Sequence, residues 1–174
     1  MMRTLAISAV AVWLAVVPAA AAAAPGAFVC SAPAGWGVRR LSDGIIYSGA
    51  VDESGLLAVI AVRYYGPDDK FYADVDAYMR KMTAKPDVQL PGWKIGTVVK
   101  TSVAGRAAKR VVNDETEFVE HRSLNKKEVA MREEQVAVPA SRGFYTLIFR
   151  VPSASYAAQR PIFARVLASF KPKL

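Results

Sequence analysis

The run Leu56-Leu-Ala-Val-Ile-Ala-Val-Arg-Tyr-Tyr65, followed by Gly66-Pro-Asp-Asp69, decides how this sequence folds. Leu56, Ala58, Ile60, Val62 and Tyr64 share one face of an extended strand, and Leu57, Val59, Ala61 and Tyr65 share the other. Arg63 is the only charge. A strand apolar on both faces is expected to lie centrally, between two covering layers. The turn after it opens a helix, with Asp68 or Asp69 placed to cap free N–H groups. Phe71, Val75, Tyr78, Met79 and Met82 then recur at helical spacing as one buried stripe, leaving Asp74, Asp76, Arg80 and Lys81 for solvent. Lys85-Pro86-Asp87 ends that helix.

On either side of that run, glycines and prolines cut the chain into further strands. Trp36–Leu41 and Gly44–Ala50 precede the run, and the turn Asp52-Glu53-Ser54-Gly55 leads into it. After Pro91-Gly92 come Lys94–Ala104, Arg106–Glu120, Glu128–Val138 and Gly143–Val151. Period-two alternation is clear in Ile95, Thr97, Val99, Thr101 and Val103, and again in Tyr145, Leu147, Phe149 and Val151. Breaks are expected at Ser123–Lys127 and Pro139–Gly143, and the pair Glu133-Glu134 marks a bulge or an exposed edge. A last helix follows Pro152, capped by Ser153 or Ser155, kinked or restarted at Pro161, with Phe163, Val166, Leu167 and Phe170 facing the core. The order is three strands, a helix, four strands and a helix. It predicts an α+β fold, a mainly antiparallel six- to seven-stranded sheet flanked by helices.

The first 24 of the 174 residues carry one charge, Arg3, an apolar core from Leu5 to Val17, Pro18 and an alanine-rich stretch. That three-part pattern predicts a secretory signal peptide over 1–24, cleaved near Ala22 to Ala24, and one domain over 25–174 in the periplasm or outside the cell. No stable transmembrane span is expected after cleavage, and Cys30, preceded by Phe28 and Val29, lacks the small neighbour that lipid attachment requires. The formal charge is +8, and loss of Arg3 leaves 22 basic against 15 acidic residues, +7. In an exported protein this points away from nucleic acid and towards an acidic protein or an anionic envelope surface. One Cys and one His furnish neither a disulfide framework nor an ordinary zinc site, so no metal and no cofactor are expected.

Pro33-Ala-Gly-Trp36, Val103-Ala-Gly105-Arg-Ala107, Phe144-Tyr-Thr-Leu-Ile-Phe149 and Pro161-Ile-Phe-Ala-Arg-Val-Leu-Ala-Ser-Phe170 give the chain a resemblance to the PsbP/Mog-like superfamily. The resemblance implies an α/β/α sandwich and a non-catalytic accessory, assembly or chaperone-like role. The matching positions are structural, so it carries over no binding residue.

Catalytic motifs are weak. Ser123-Leu-Asn-Lys126 is a Ser-x-x-Lys match in a polar hairpin loop, and Cys30 and His121 are far apart in sequence. The candidate partner-binding residues are Trp93, Arg39, Arg40, Lys109, Arg110, Arg122, Lys126 and Lys127, because tryptophan and arginine dominate interfaces and the basic residues suit an acidic partner. Tyr64, Tyr65 and Tyr72 are further aromatic candidates. Three functions follow: a non-catalytic exported accessory protein engaging another envelope protein; a protein holding a lipid or other amphipathic ligand between sheet and helix; and a cell-wall or peptide hydrolase resting on Ser123 and Lys126 or on Cys30.

Overall fold

In a computed structural model that describes residues 22–23, 26–85, 91–119 and 127–174, the apolar run becomes β5 (Leu57–Tyr65), near the middle of a seven-stranded antiparallel sheet. Two meanders build that sheet. The first is β3 (Gly37–Arg40), β4 (Gly44–Val51) and β5; the second is β6 (Val99–Val103), β7 (Arg106–Val119), β8 (Lys127–Pro139) and β9 (Phe144–Pro152). They join where β5 pairs with β9, giving the order β3-β4-β5-β9-β8-β7-β6. The expected α+β fold is therefore present, with α1 (Val75–Met82) after the first meander and α2 (Tyr156–Ser169) after the second. A small sheet of β1 (Ala22–Ala23), β2 (Phe28–Cys30) and β10 (Lys171–Pro172) shares no ladder with the large one but packs on it through Phe28 and Cys30.

The two faces of the sheet are covered unequally. Ile45, Tyr47, Ile60, Val62, Tyr145, Leu147 and Phe149 form one face and are fully buried with Phe28, Phe163 and Phe170. Phe149 stacks on Phe163 of α2 with ring centroids 5.3 Å apart, and Tyr145 meets Phe170 edge-on at 5.3 Å. Among the described residues, the opposite face is covered by α1 at one end, where Val75, Tyr78 and Met79 pack on Val111, Ala137 and Phe144. Tyr65 stacks on Phe144 there at 4.9 Å. Val59 and Ala61, in the middle of β5, are only half-buried. Among the described residues, the double coverage expected for this strand is thus realised at its Tyr65 end alone, because an eight-residue helix of about 12 Å cannot span the sheet.

Several expectations need correction. Asp74, not Asp68 or Asp69, caps α1 by accepting from the N–H of Ala77 at 2.7 Å; Asp69 instead holds the N–H groups of Phe71 and Tyr72 in the preceding loop. Phe71 therefore precedes the helix and is 75% exposed, not part of the buried stripe. Ser155 stands at the N-cap of α2 without a capping bond, and Pro161 is accommodated as the helix's sixth residue. Glu133-Glu134 is neither bulge nor edge: β8 runs in unbroken register between β7 and β9. The signal-peptide core, the Pro86-Asp87 helix stop and the residues 121–126 lie outside the described residues.

Candidate functional site

Alternation along β8 turns Glu134, Val136 and Val138 towards α2, so a carboxylate is placed in the apolar face of the sheet, fully buried. An unpaired buried charge would cost several kcal/mol. Here Oε1 accepts from Arg110 Nε of β7 at 2.7 Å and Arg160 Nη2 of α2 at 2.9 Å. Oε2 accepts from the Tyr156 hydroxyl at 2.7 Å and lies 2.5 Å from Arg160 Nε. Burial alone would push this carboxyl up, but the bonds from Arg110, Tyr156 and Arg160 outweigh it and hold it below its ordinary value. The Tyr156 hydroxyl is pushed up, by burial and then by its bond to Glu134.

Above this cluster opens a cleft of about 190 Å³ between β6 and the second half of α2. Arg110, Glu134 and Arg160 line it together with Thr101, Val103, Leu167 and Ala168. A larger cavity of about 340 Å³ lies beside the start of α1, with Val75, Ala107, Ala108 and Pro139 as apolar walls and Asp76, Lys100 and Lys109 among its polar ones.

Among the described residues, those singled out from sequence are not brought together. Arg39 and Arg40 are exposed on β3, at one edge of the sheet; Lys109 and Arg110 are on β7, five strands away, about 24 Å at ordinary strand spacing. Lys109 pairs with Asp76 of α1. Lys127 lies 3.5 Å and 3.4 Å from the carbonyls of Glu53 and Ser54. Trp93 is half-buried, its indole N–H without a partner among the described residues. Tyr64 donates to the Arg142 carbonyl at 2.6 Å, and Tyr65 and Tyr72 pack into the α1 cluster. His121, Arg122, Ser123 and Lys126 lie outside the described residues. Sequence reasoning missed Glu134, Tyr156 and Arg160. The signal available was a carboxylate in phase with Val136 and Val138 on a buried strand face.

Cys30 is fully buried, its sulfur 3.1 Å from the Tyr47 hydroxyl. Burial pushes the thiol up, which disfavours the thiolate a nucleophile requires and removes the sulfur from reach of a second chain. Among the described residues, no group of three or more His, Cys, Asp or Glu side chains is placed to hold a metal ion, and no helix is long and apolar enough to cross a membrane.

No family model and no curated protein sequence matches the chain. Solved structures do. PA94 of Pseudomonas aeruginosa, a protein of unknown function, superposes with a TM-score of 0.51 at 14% identity, over 80% of this chain and 98% of that one. LpqN of Mycobacterium tuberculosis, involved in cell envelope biogenesis, gives 0.50 at 16% identity, over 85% and 86%. The Ran-binding protein Mog1p of Saccharomyces cerevisiae gives 0.45 at 13% identity, over 84% and 90%. At such identities the likeness to PA94 and LpqN is one of fold alone.

Proposed function

We propose that the chain is a non-catalytic, exported accessory protein of the PsbP/Mog-like superfamily that engages an acidic, extended segment of another envelope protein. Export is supported by the signal pattern over 1–24, and an envelope role by the fold shared with LpqN. The observation that carries the binding reading is β3. The Leu41 N–H bonds the Gly44 carbonyl at 2.8 Å, and bonded pairs alternate away from that turn, so Val38 and Arg40 present N–H and C=O groups to the sheet's outer edge. Among the described residues no strand pairs there, all four β3 residues are exposed, and Arg39 and Arg40 supply a charge that favours carboxylates. An added strand gains main-chain hydrogen bonds and charge complementarity together. A direct test measures binding of the mature protein to an acidic extended peptide alternating Glu and Val, beside a Lys-for-Glu version, with Arg39→Glu/Arg40→Glu as the variant. Selective binding of the acidic peptide, lost in the variant, is expected; equal binding of both peptides would overturn the edge assignment. N-terminal sequencing of the envelope fraction is expected to read a start within residues 23–25, and a full-length cytoplasmic product would overturn export.

The cavity beside α1 favours a second reading. Its apolar walls and Lys100, the positive charge left once Lys109 pairs with Asp76, suit an amphipathic anion. Native mass spectrometry of protein purified from its own cells is expected to detect a bound amphiphile on this reading, and ligand-free spectra would remove it.

A further inference from the structure

We propose that the cleft between β6 and α2 is a binding site for one carboxylate group. Glu134 already accepts at both oxygens and has no acceptor capacity left to offer: its partners are two guanidinium groups and a hydroxyl, about as many as a carboxylate takes. Arg110 and Arg160 together carry ten N–H groups, of which only three are used on Glu134, while Arg110 also lies against the Tyr156 hydroxyl. Both arginines line the cleft, each about one-third exposed, and they outnumber Glu134 by one charge. The cleft therefore presents unused charge-assisted donors, the Thr101 hydroxyl and apolar walls from Val103 and Leu167. A planar carboxylate matches a guanidinium fork, and a single negative charge matches the excess of one. About 190 Å³ holds roughly six water-sized groups, enough for the carboxylate and a few carbons. Nothing in this assignment depends on the β3 edge.

The probes are sodium acetate, N-acetylglycine and an acetylated tetrapeptide with free or amidated C-terminus, titrated at low salt while backbone amide NMR shifts are followed. Saturable shifts at Thr101, Val103, Leu167 and Ala168 are expected, with dissociation constants on the order of millimolar for so few atoms. A terminal carboxylate is the source if the free peptide binds tighter than acetate and amidation abolishes binding; a free small acid is the source if acetate and N-acetylglycine bind and neither peptide does. Arg110→Gln is expected to abolish binding but also loosens Glu134. Ala168→Glu adds a charge at the exposed rim without touching the cluster, and is expected to weaken binding at least tenfold at unchanged melting temperature. Absence of saturable shifts, binding untouched by Ala168→Glu, equal binding of the amidated peptide, or phosphate binding tighter than acetate would each overturn the assignment.

Discussion

Glu133 and Glu134 are neighbours on β8 but point to opposite faces of the sheet, and their carboxyl groups are displaced in opposite directions. Glu134 is held below its ordinary value in a cluster of two arginines and a tyrosine. Glu133 is held above it, by burial and then by the charge of Glu115, which outweigh the bond from Gln135 and the more distant Arg150 at 3.8 Å. Strand geometry alone separates the two environments.

Replacing Glu134 with Gln leaves two guanidiniums without their counter-charge and is expected to cost about 3 kcal/mol at neutral pH. Because the folded-state value is depressed, the wild-type contribution is present above the ordinary 4.5 and fades as pH falls through the lower folded value. Denaturant titrations at pH 7 and below 4 are expected to give a gap between wild type and variant that narrows with acid. A constant gap would mean that Glu134 acts through shape, not charge.

For Glu133 the sign reverses. A raised folded-state value means that Glu133 favours the folded state only where it is protonated, and works against folding once pH rises through that value. Glu133→Gln is therefore expected to raise the melting temperature at pH 7, by a few degrees if the gain is about 1 kcal/mol, and to leave it unchanged near pH 4. Thermal scans at both pH values decide this, and a loss of stability at pH 7 would contradict it.

The long strands β7, β8 and β9 could be read because each shows a period, whereas the strand expected over Lys94–Ala104 is one only over Val99–Val103, its first part meeting β7 through a bridge between Lys94 and Asp114. β7, β8 and β9 lie within one residue of their expected bounds at each end, and the Asp52–Gly55 turn is closed by a bond from the Gly55 N–H to the Asp52 carbonyl at 3.0 Å. β2 and β10 could not be read: three and two residues carry no period, and their pairing joins Val29 to Lys171 across nearly the whole chain. Phe71 keeps helical spacing although Asp69 has already turned the chain into a loop, so spacing alone puts it on the helix. The site was harder. Arg110, Glu134 and Arg160 sit on three separate elements, so their meeting depends on strand register and on how α2 packs, and a charge on a central strand reads as an edge signal until its partners are placed.

Cys30 gives a chemical check on the core. Its sulfur is buried against Tyr47, and burial pushes the thiol up. A disulfide reagent at pH 8 is expected to label the native protein at least a hundredfold more slowly than the denatured one, since reaction requires opening of the β2 region. Rapid labelling without denaturant would place the thiol at the surface and reopen a role for it as a nucleophile or as a link between chains.

Gly143 tests the junction of the two meanders. It has a φ of +74°, and a Cβ there would stand 2.0 Å from the Tyr65 carbonyl oxygen, at the point where the end of β5 meets the start of β9 through Tyr65 and Phe144. Backbone strain and the clash act together, and backbone cannot move aside as a flexible side chain can. Gly143→Ala is expected to cost about 3 kcal/mol, a fall in melting temperature on the order of 10 °C for a chain of this size. Gly105 also has positive φ, +75°, but nothing lies within 4 Å of its would-be Cβ, so Gly105→Ala carries only the conformational part, about 1 kcal/mol. Equal losses for the two variants would show that the close approach of Gly143 to Tyr65 contributes nothing, and that the β5–β9 seam is not held as tightly as its register implies.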